Sequence, residues 1–177
     1  RLRRLLDYAD NYRSHYSLSQ VPLTASWDTR WVPSYLTYNN RPLRIRVLGT
    51  LVQLFYNVSL SRAPVLTVHA DLLRTIDHWA MVRLLCRSHP RPREPAMVCI
   101  FHSCRYTLPH LAQCFRSAFD ATDRLRPRSH MATLSITDFA PGDLVMVDCA
   151  CTLRNSSNGT AVHFELLDIY LIARVPR

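Results

Sequence analysis

Three aromatic residues, Phe55, Tyr56 and Trp79, and five arginines, Arg44, Arg46, Arg62, Arg83 and Arg154, are the side chains whose types suit a partner made of flat rings and negative charge. An aromatic ring stacks on a base, at about 1–3 kcal/mol per base, and a guanidinium pairs with a phosphate. Each has a purely structural alternative. Trp79 stands two residues before Met81 and fits a core position equally well. Phe55 fits the core better than a contact. Arg44 and Arg46 alternate with Leu43, Ile45 and Val47, which equally suits the solvated face of a strand.

Two other chemistries have candidate residues. Cys99, His102 and Cys104 could converge with Cys149 and Cys151 on a zinc ion, since thiolate and imidazole are its usual ligands. Neither group has the Cys-x2-Cys pairing, and Cys149 and Cys151 share one strand face, as plain burial also requires. No metal or other cofactor is expected. His69, Asp71, Asp77 and His78 lie close enough in sequence for a hydrolase cluster. There is no nucleophile elbow, phosphate loop or paired-carboxylate motif beside them. Polar side chains on a solvated loop account for them more simply, and the chain is not expected to be an enzyme.

Composition favours the first chemistry. All 22 basic residues are arginine, against 13 acidic ones, for a formal net charge of +9. Such a surplus attracts polyanions, of which nucleic acid is the commonest. A hydrophobic content of 48% supplies a normal core and argues against disorder. No apolar run approaches the roughly 20 residues of a membrane span. The basic start, Arg1 to Leu6, is too short for a signal peptide, and an opening arginine in place of methionine points to a fragment of a longer protein. The six cysteines read as reduced, buried thiols.

The elements that must carry these residues follow from periodicity. Residues 1–16 read as a short helix, followed by a loop to Asn40 whose Trp27, Trp31, Tyr35 and Tyr38 cover the core. The first strand starts at Pro42 and bends or bulges at Gly49. Val65–His69 is a second strand and Trp79–Cys86 a third. Arg87–Pro95 is a loop, and Met97–Phe101 a further short strand. Leu108, Leu111, Ala112, Phe115 and Phe119 share a helical stripe. After the turn Pro141-Gly142-Asp143, a strand over 144–153 and a return strand to Ile172 meet at the Asn158-Gly159 hairpin. The expected fold class is mainly β with α: a five-stranded OB-fold barrel, a helix between strands 3 and 4, and a short N-terminal helix. Residues 1–177 form one domain, with an N-terminal extension over 1–40 and a barrel over 41–177 holding an insertion around 87–106. OB folds bind single strands over their second and third strands and the adjoining loops, which places Phe55, Tyr56 and Arg62 by the first loop, Trp79 and Arg83 on the third strand, and Arg154 by the last loop.

The run Val32 to Thr50 resembles the entry to the OB fold of the Stn subunit of the CST telomere complex. That family shows a Val-Pro, then Tyr-Asn-Gly-His-Pro-Ile, then Val-x-Val-Leu-Gly-Thr-Val; Tyr38, Asn39, Pro42, Val47, Leu48, Gly49 and Thr50 match. Pro141 to Val147 resembles its Gly-Asp-x-Ile-x-Val motif, and Leu167 to Arg174 its final strand. Where the family's second strand ends in Val-Asp-Asp and a Gly turn, this chain has Val68-His69-Ala70-Asp71. The resemblance implies a subunit binding single-stranded telomeric DNA, a small OB-fold Ten-like partner, a large Ctc-like subunit and contact with DNA polymerase alpha–primase. It also implies a nuclear place on telomeric chromatin, a role in chromosome-end protection and lagging-strand fill-in, and no membrane partner. A general module like replication protein A, or a barrel that binds protein only, are the alternative expectations.

Overall fold

The computed structural model describes residues 1–57, 65–86, 100–106, 115–156 and 159–176. Its amino-terminal part runs through α1 (Leu2–Leu6), β1 (Ala9–Asp10), β2 (His15–Ser17), β3 (Ser26–Asp28), β4 (Ser34–Tyr38) and β5 (Arg41–Pro42). The longer elements follow: β6 (Arg44–Asn57), β7 (Val65–Leu72), α2 (Thr75–Cys86), β8 (Ile100–Tyr106), the short β9 (Ala118–Asp120), β10 (Leu144–Ser156) and β11 (Gly159–Ala173). The described residues are thus mainly β, with few helices.

Antiparallel pairings join β6 to β7, β7 to β8, β10 to β11 and β10 to β6. β8 meets β11 in parallel at Cys104 and Glu165. The pairings therefore run β6–β7–β8–β11–β10 and return to β6. Apolar side chains fill the inside of this circuit, among them Ile45, Val47, Val68, Phe101, Val147 and Leu166. A second cluster, including Leu5, Leu48, Met146 and Tyr170, lies on the opposite face of β6, β10 and β11, under α1. β10 is consequently buried on both faces from Val145 to Thr152, which is why its sequence reads as a nearly continuous apolar run.

β6 serves both faces because its parity changes. Up to Leu51, the odd-numbered residues Ile45, Val47 and Leu51 point inward, and Arg44, Arg46 and Leu48 outward. A register shift between Leu51 and Gln53 reverses this, so Leu54 packs on the core and Phe55 faces out. The irregularity was expected at Gly49. Gly49 is needed for another reason. A Cβ there would sit 2.5 Å from the Asp71 carbonyl oxygen, so only glycine lets β6 and β7 approach this closely. Gly142, by contrast, has φ +92° in the turn that starts β10.

Other expectations are corrected. Trp79–Cys86 is not a third strand but the greater part of α2. Its buried residues Asp77, Ala80, Met81 and Leu84 recur at intervals of three and four, the helical period. A short apolar run alone does not distinguish the two. The third long strand is β8, which takes up the end of the supposed insertion around 87–106; residues 87–99 lie outside the described residues. The helix expected over 108–119 fails at its end, where Ala118–Asp120 is β9, paired in parallel with β11; 107–114 lie outside the described residues. Instead, α2 stands between the second and third long strands. The N-terminal helix spans only Leu2–Leu6, not 1–16. β1 and β2 fall at the end of that expected helix, the loop to Asn40 contains β3 and β4, and Trp31 in it is 55% exposed rather than packed on the core.

Candidate nucleic-acid interface

Alternation along β7 buries Val68 and Ala70 and turns His69 and Asp71 outward. Antiparallel register sets His102 of β8 directly opposite His69, and Phe55 of β6 opposite Thr67. Three rings therefore meet across three strands. Phe55 and His69 lie 5.7 Å apart between centroids, His69 and His102 4.9 Å, both edge to face. His102 is exposed and the other two are half-buried.

A small hollow of about 140 Å³ adjoins the row, where His102, Cys104 and His163 face Met81 and Leu85 of α2. Although His102 is exposed as a residue, partial desolvation of its imidazole at the hollow holds it below its ordinary pKa, and the charges of His69 and His163 push it the same way. Burial and the Arg154 guanidinium also lower His163, while burial raises the Cys104 thiol. The row thus offers rings at a half-open surface, with His102 biased towards its neutral form, the character required for stacking on bases. Arg154, half-buried, acts electrostatically on Cys104, His163 and Tyr35, and so stands at the margin of the same hollow.

The other expected arginines have different surroundings. Arg46 is 7% exposed; its guanidinium bonds Asp148 at 3.1 Å and lies 4.5 Å over the Tyr8 ring. His15 approaches the same carboxylate at 3.2 Å. Burial raises the Asp148 pKa, but the His15 hydrogen bond and the Arg46 charge outweigh it and hold the carboxyl at about 2. Arg44 bonds the buried Asp168, which also accepts from Arg128. Burial lifts the Asp168 carboxyl, and the two arginines pull it back only in part. Tyr170 beside them is pushed up to about 12 by burial and the two carboxylates. The solvated arginine face expected on β6 is therefore corrected: the N-terminal extension covers it and converts it into an ion-pair network. An open cleft of about 760 Å³ remains above, walled on one side by residues 125–129.

Of the remaining candidates, Trp79 and Arg83 share an exposed face of α2, one turn apart, with Trp79 66% exposed. Arg62 and the Tyr56 side chain lie outside the described residues. The structure thus groups Phe55 and Arg154 around β7 and β8, and sets Arg44 and Arg46 in a separate cleft. His69 and His102 were not among the expected contacts. Their alternation with Val68, Ala70, Phe101 and Ser103 signals an outward face, but their mutual contact depends on strand register.

The alternative metal and hydrolase groupings weighed from the sequence do not assemble among the described residues. No group of three or more His, Cys, Asp or Glu side chains there could hold a metal. Cys149 and Cys151 are buried in the interior, while His102 lies exposed on β8; Cys99 lies outside the described residues. Asp77 turns into a bond with Arg74 at 2.8 Å.

No protein-family model matches the chain, and no curated protein sequence matches it. Several solved structures are similar in shape. A single-stranded DNA-binding protein from bacteriophage Enc34, in complex with single-stranded DNA, has a TM-score of 0.49 at 9% identity, covering 88% of this chain and 98% of that one. The single-stranded DNA-binding protein encoded by bacteriophage T7 has a TM-score of 0.45 at 13% identity, with 77% and 90% covered. The mitochondrial single-stranded DNA-binding protein of S. cerevisiae has a TM-score of 0.37 at 12% identity, with 76% and 100% covered. Likeness at this level establishes no function.

Proposed function

We propose that this chain is an OB-type barrel that binds single-stranded DNA across the outer face of β6, β7 and β8. The observation that carries the reading is the row Phe55–His69–His102, three rings in contact across three adjacent strands. Successive bases stack on such a row without regard to sequence, and OB barrels use this face. The closed circuit of pairings and the surplus of 22 arginines over 13 acidic residues support it. On this reading the chain is a binding module and not an enzyme.

We further propose that it serves as a Stn-type subunit, in the nucleus at chromosome ends, beside a small Ten-like and a large Ctc-like partner and DNA polymerase alpha–primase. What supports this is the entry motif. Asn39 and Asn40 have φ of 51° and 60° in a two-residue turn between β4 and β5, and the family's Tyr-Asn-Gly has glycine at the second of these positions. Gly49 of the Leu-Gly-Thr motif meets a steric need at β7.

Anisotropy of a labelled G-rich strand tests the DNA reading. Binding at low salt that weakens when Phe55 and His102 are both changed to Ala supports it. No binding at low salt, alone or with a small OB-fold companion, rejects it. Co-purification of such a companion from nuclear extract tests the Stn-type reading; its absence leaves the general single-strand module.

A further inference from the structure

The cleft above β6, β10 and β11 holds more positive charge than its internal pairs consume. Its floor sets three guanidiniums, Arg44, Arg46 and Arg128, against two buried carboxylates, Asp148 and Asp168. Two further arginines stand at the rim. Arg13 reaches Asp10 at 3.8 Å and Arg126 reaches Asp123 at 3.1 Å, and both arginine side chains are more than half exposed. Such exposed pairs contribute about 0–1 kcal/mol. A phosphate can therefore take over the rim arginines, and the cleft then sets five guanidiniums against four carboxylates, Asp10, Asp123, Asp148 and Asp168. On the floor, the Arg44 Nε is buried without a hydrogen-bond partner among the described residues, 3.7 Å from the Asp148 Oδ2. The Arg44 side chain as a whole is 31% exposed, so its guanidinium stays within reach of an anion in the cleft. The cleft volume of about 760 Å³ suits a nucleotide-sized ligand, and Tyr8, Leu125 and Pro127 give it an apolar wall.

We propose that this cleft is a second, separate anion site that takes nucleotide phosphates, held by Arg13, Arg44 and Arg126 while Asp148 and Asp168 keep the floor rigid. Neither its residues nor its wall belong to the ring row, so either site can fail without the other. The phosphates come from a free nucleotide or from the backbone of a bound strand; the chemistry of recognition is the same.

The test follows the arginine Nε–Hε signals by NMR at low salt. The probes are pyrophosphate and a long oligothymidylate. The proteins are the wild type, a ring variant (Phe55→Ala with His69→Ala) and a rim variant (Arg13→Ala with Arg126→Ala). Pyrophosphate is expected to move the Arg44 signal in the wild type and in the ring variant, and to bind the rim variant at least about tenfold more weakly. Movement of the same signal by oligothymidylate in the ring variant makes the strand the source. Movement by pyrophosphate alone makes it a small phosphate compound. An Arg44 signal that neither probe moves overturns the proposal, as does unchanged pyrophosphate affinity in a correctly folded rim variant.

Discussion

Asp148 is the residue on which the outer layer turns. It is 1% exposed, and it is the shared acceptor of Arg46 and His15. Removing one member of a buried ion pair leaves the others uncompensated, at about 3–5 kcal/mol. Asp148→Asn is therefore expected to lose stability on that order, read from the urea midpoint. Because the folded pKa of Asp148 lies at about 2, below its unfolded value, its contribution is complete above pH ~4 and disappears as pH falls towards 2. The ring row has a dependence of its own. The folded pKa of His102 is depressed, so its contribution is present above the ordinary imidazole value of about 6.5 and lost as pH falls through the folded value. Urea midpoints between pH 7 and 5 should decline, and His102→Gln should flatten the decline.

At the scale of elements, two contacts decide how the strands and helix sit. Gly49 admits β7 so closely that a methyl group would collide with backbone, not with a movable side chain. Gly49→Ala should cost about 1–3 kcal/mol, visible as a lower melting temperature. α2 contributes its stability through one face. Leu84 is fully buried while Trp79 is 66% exposed. Leu84→Ala should cost about 2–5 kcal/mol, and Trp79→Ala only about 0.5 kcal/mol or less. The reverse order would mean that α2 packs by its other face. The β10–β11 hairpin was legible in the sequence because each strand is long and bounded by turn residues. The α2 helix was not, because an apolar run from Trp79 to Cys86 satisfies strand and helix alike, and only the burial of Asp77 with Arg74 reveals its start.

At the scale of the molecule, the formal charge of +9 makes any strand binding dependent on salt. The logarithm of affinity for oligothymidylate should fall linearly with the logarithm of salt concentration. The rim variant Arg13→Ala with Arg126→Ala should flatten that slope if the strand reaches the cleft, whereas Phe55→Ala should weaken binding at every salt concentration and leave the slope unchanged. Rings supply a salt-independent share of binding; guanidiniums release counterions.

By itself, the sequence determined the surplus of arginine, the mainly β character, the turn at Gly142, the final hairpin and Phe55 as a candidate. These depend on local periodicity and turn chemistry, which a single segment carries within itself. Only the tertiary structure decided that His69 and His102 extend Phe55 into a row, because cross-strand neighbours are set by register and not by sequence distance. It also decided that Arg46 is buried. Residues 1–20 fold back over β6, and a charged side chain that alternation turns outward meets another layer of protein there instead of water.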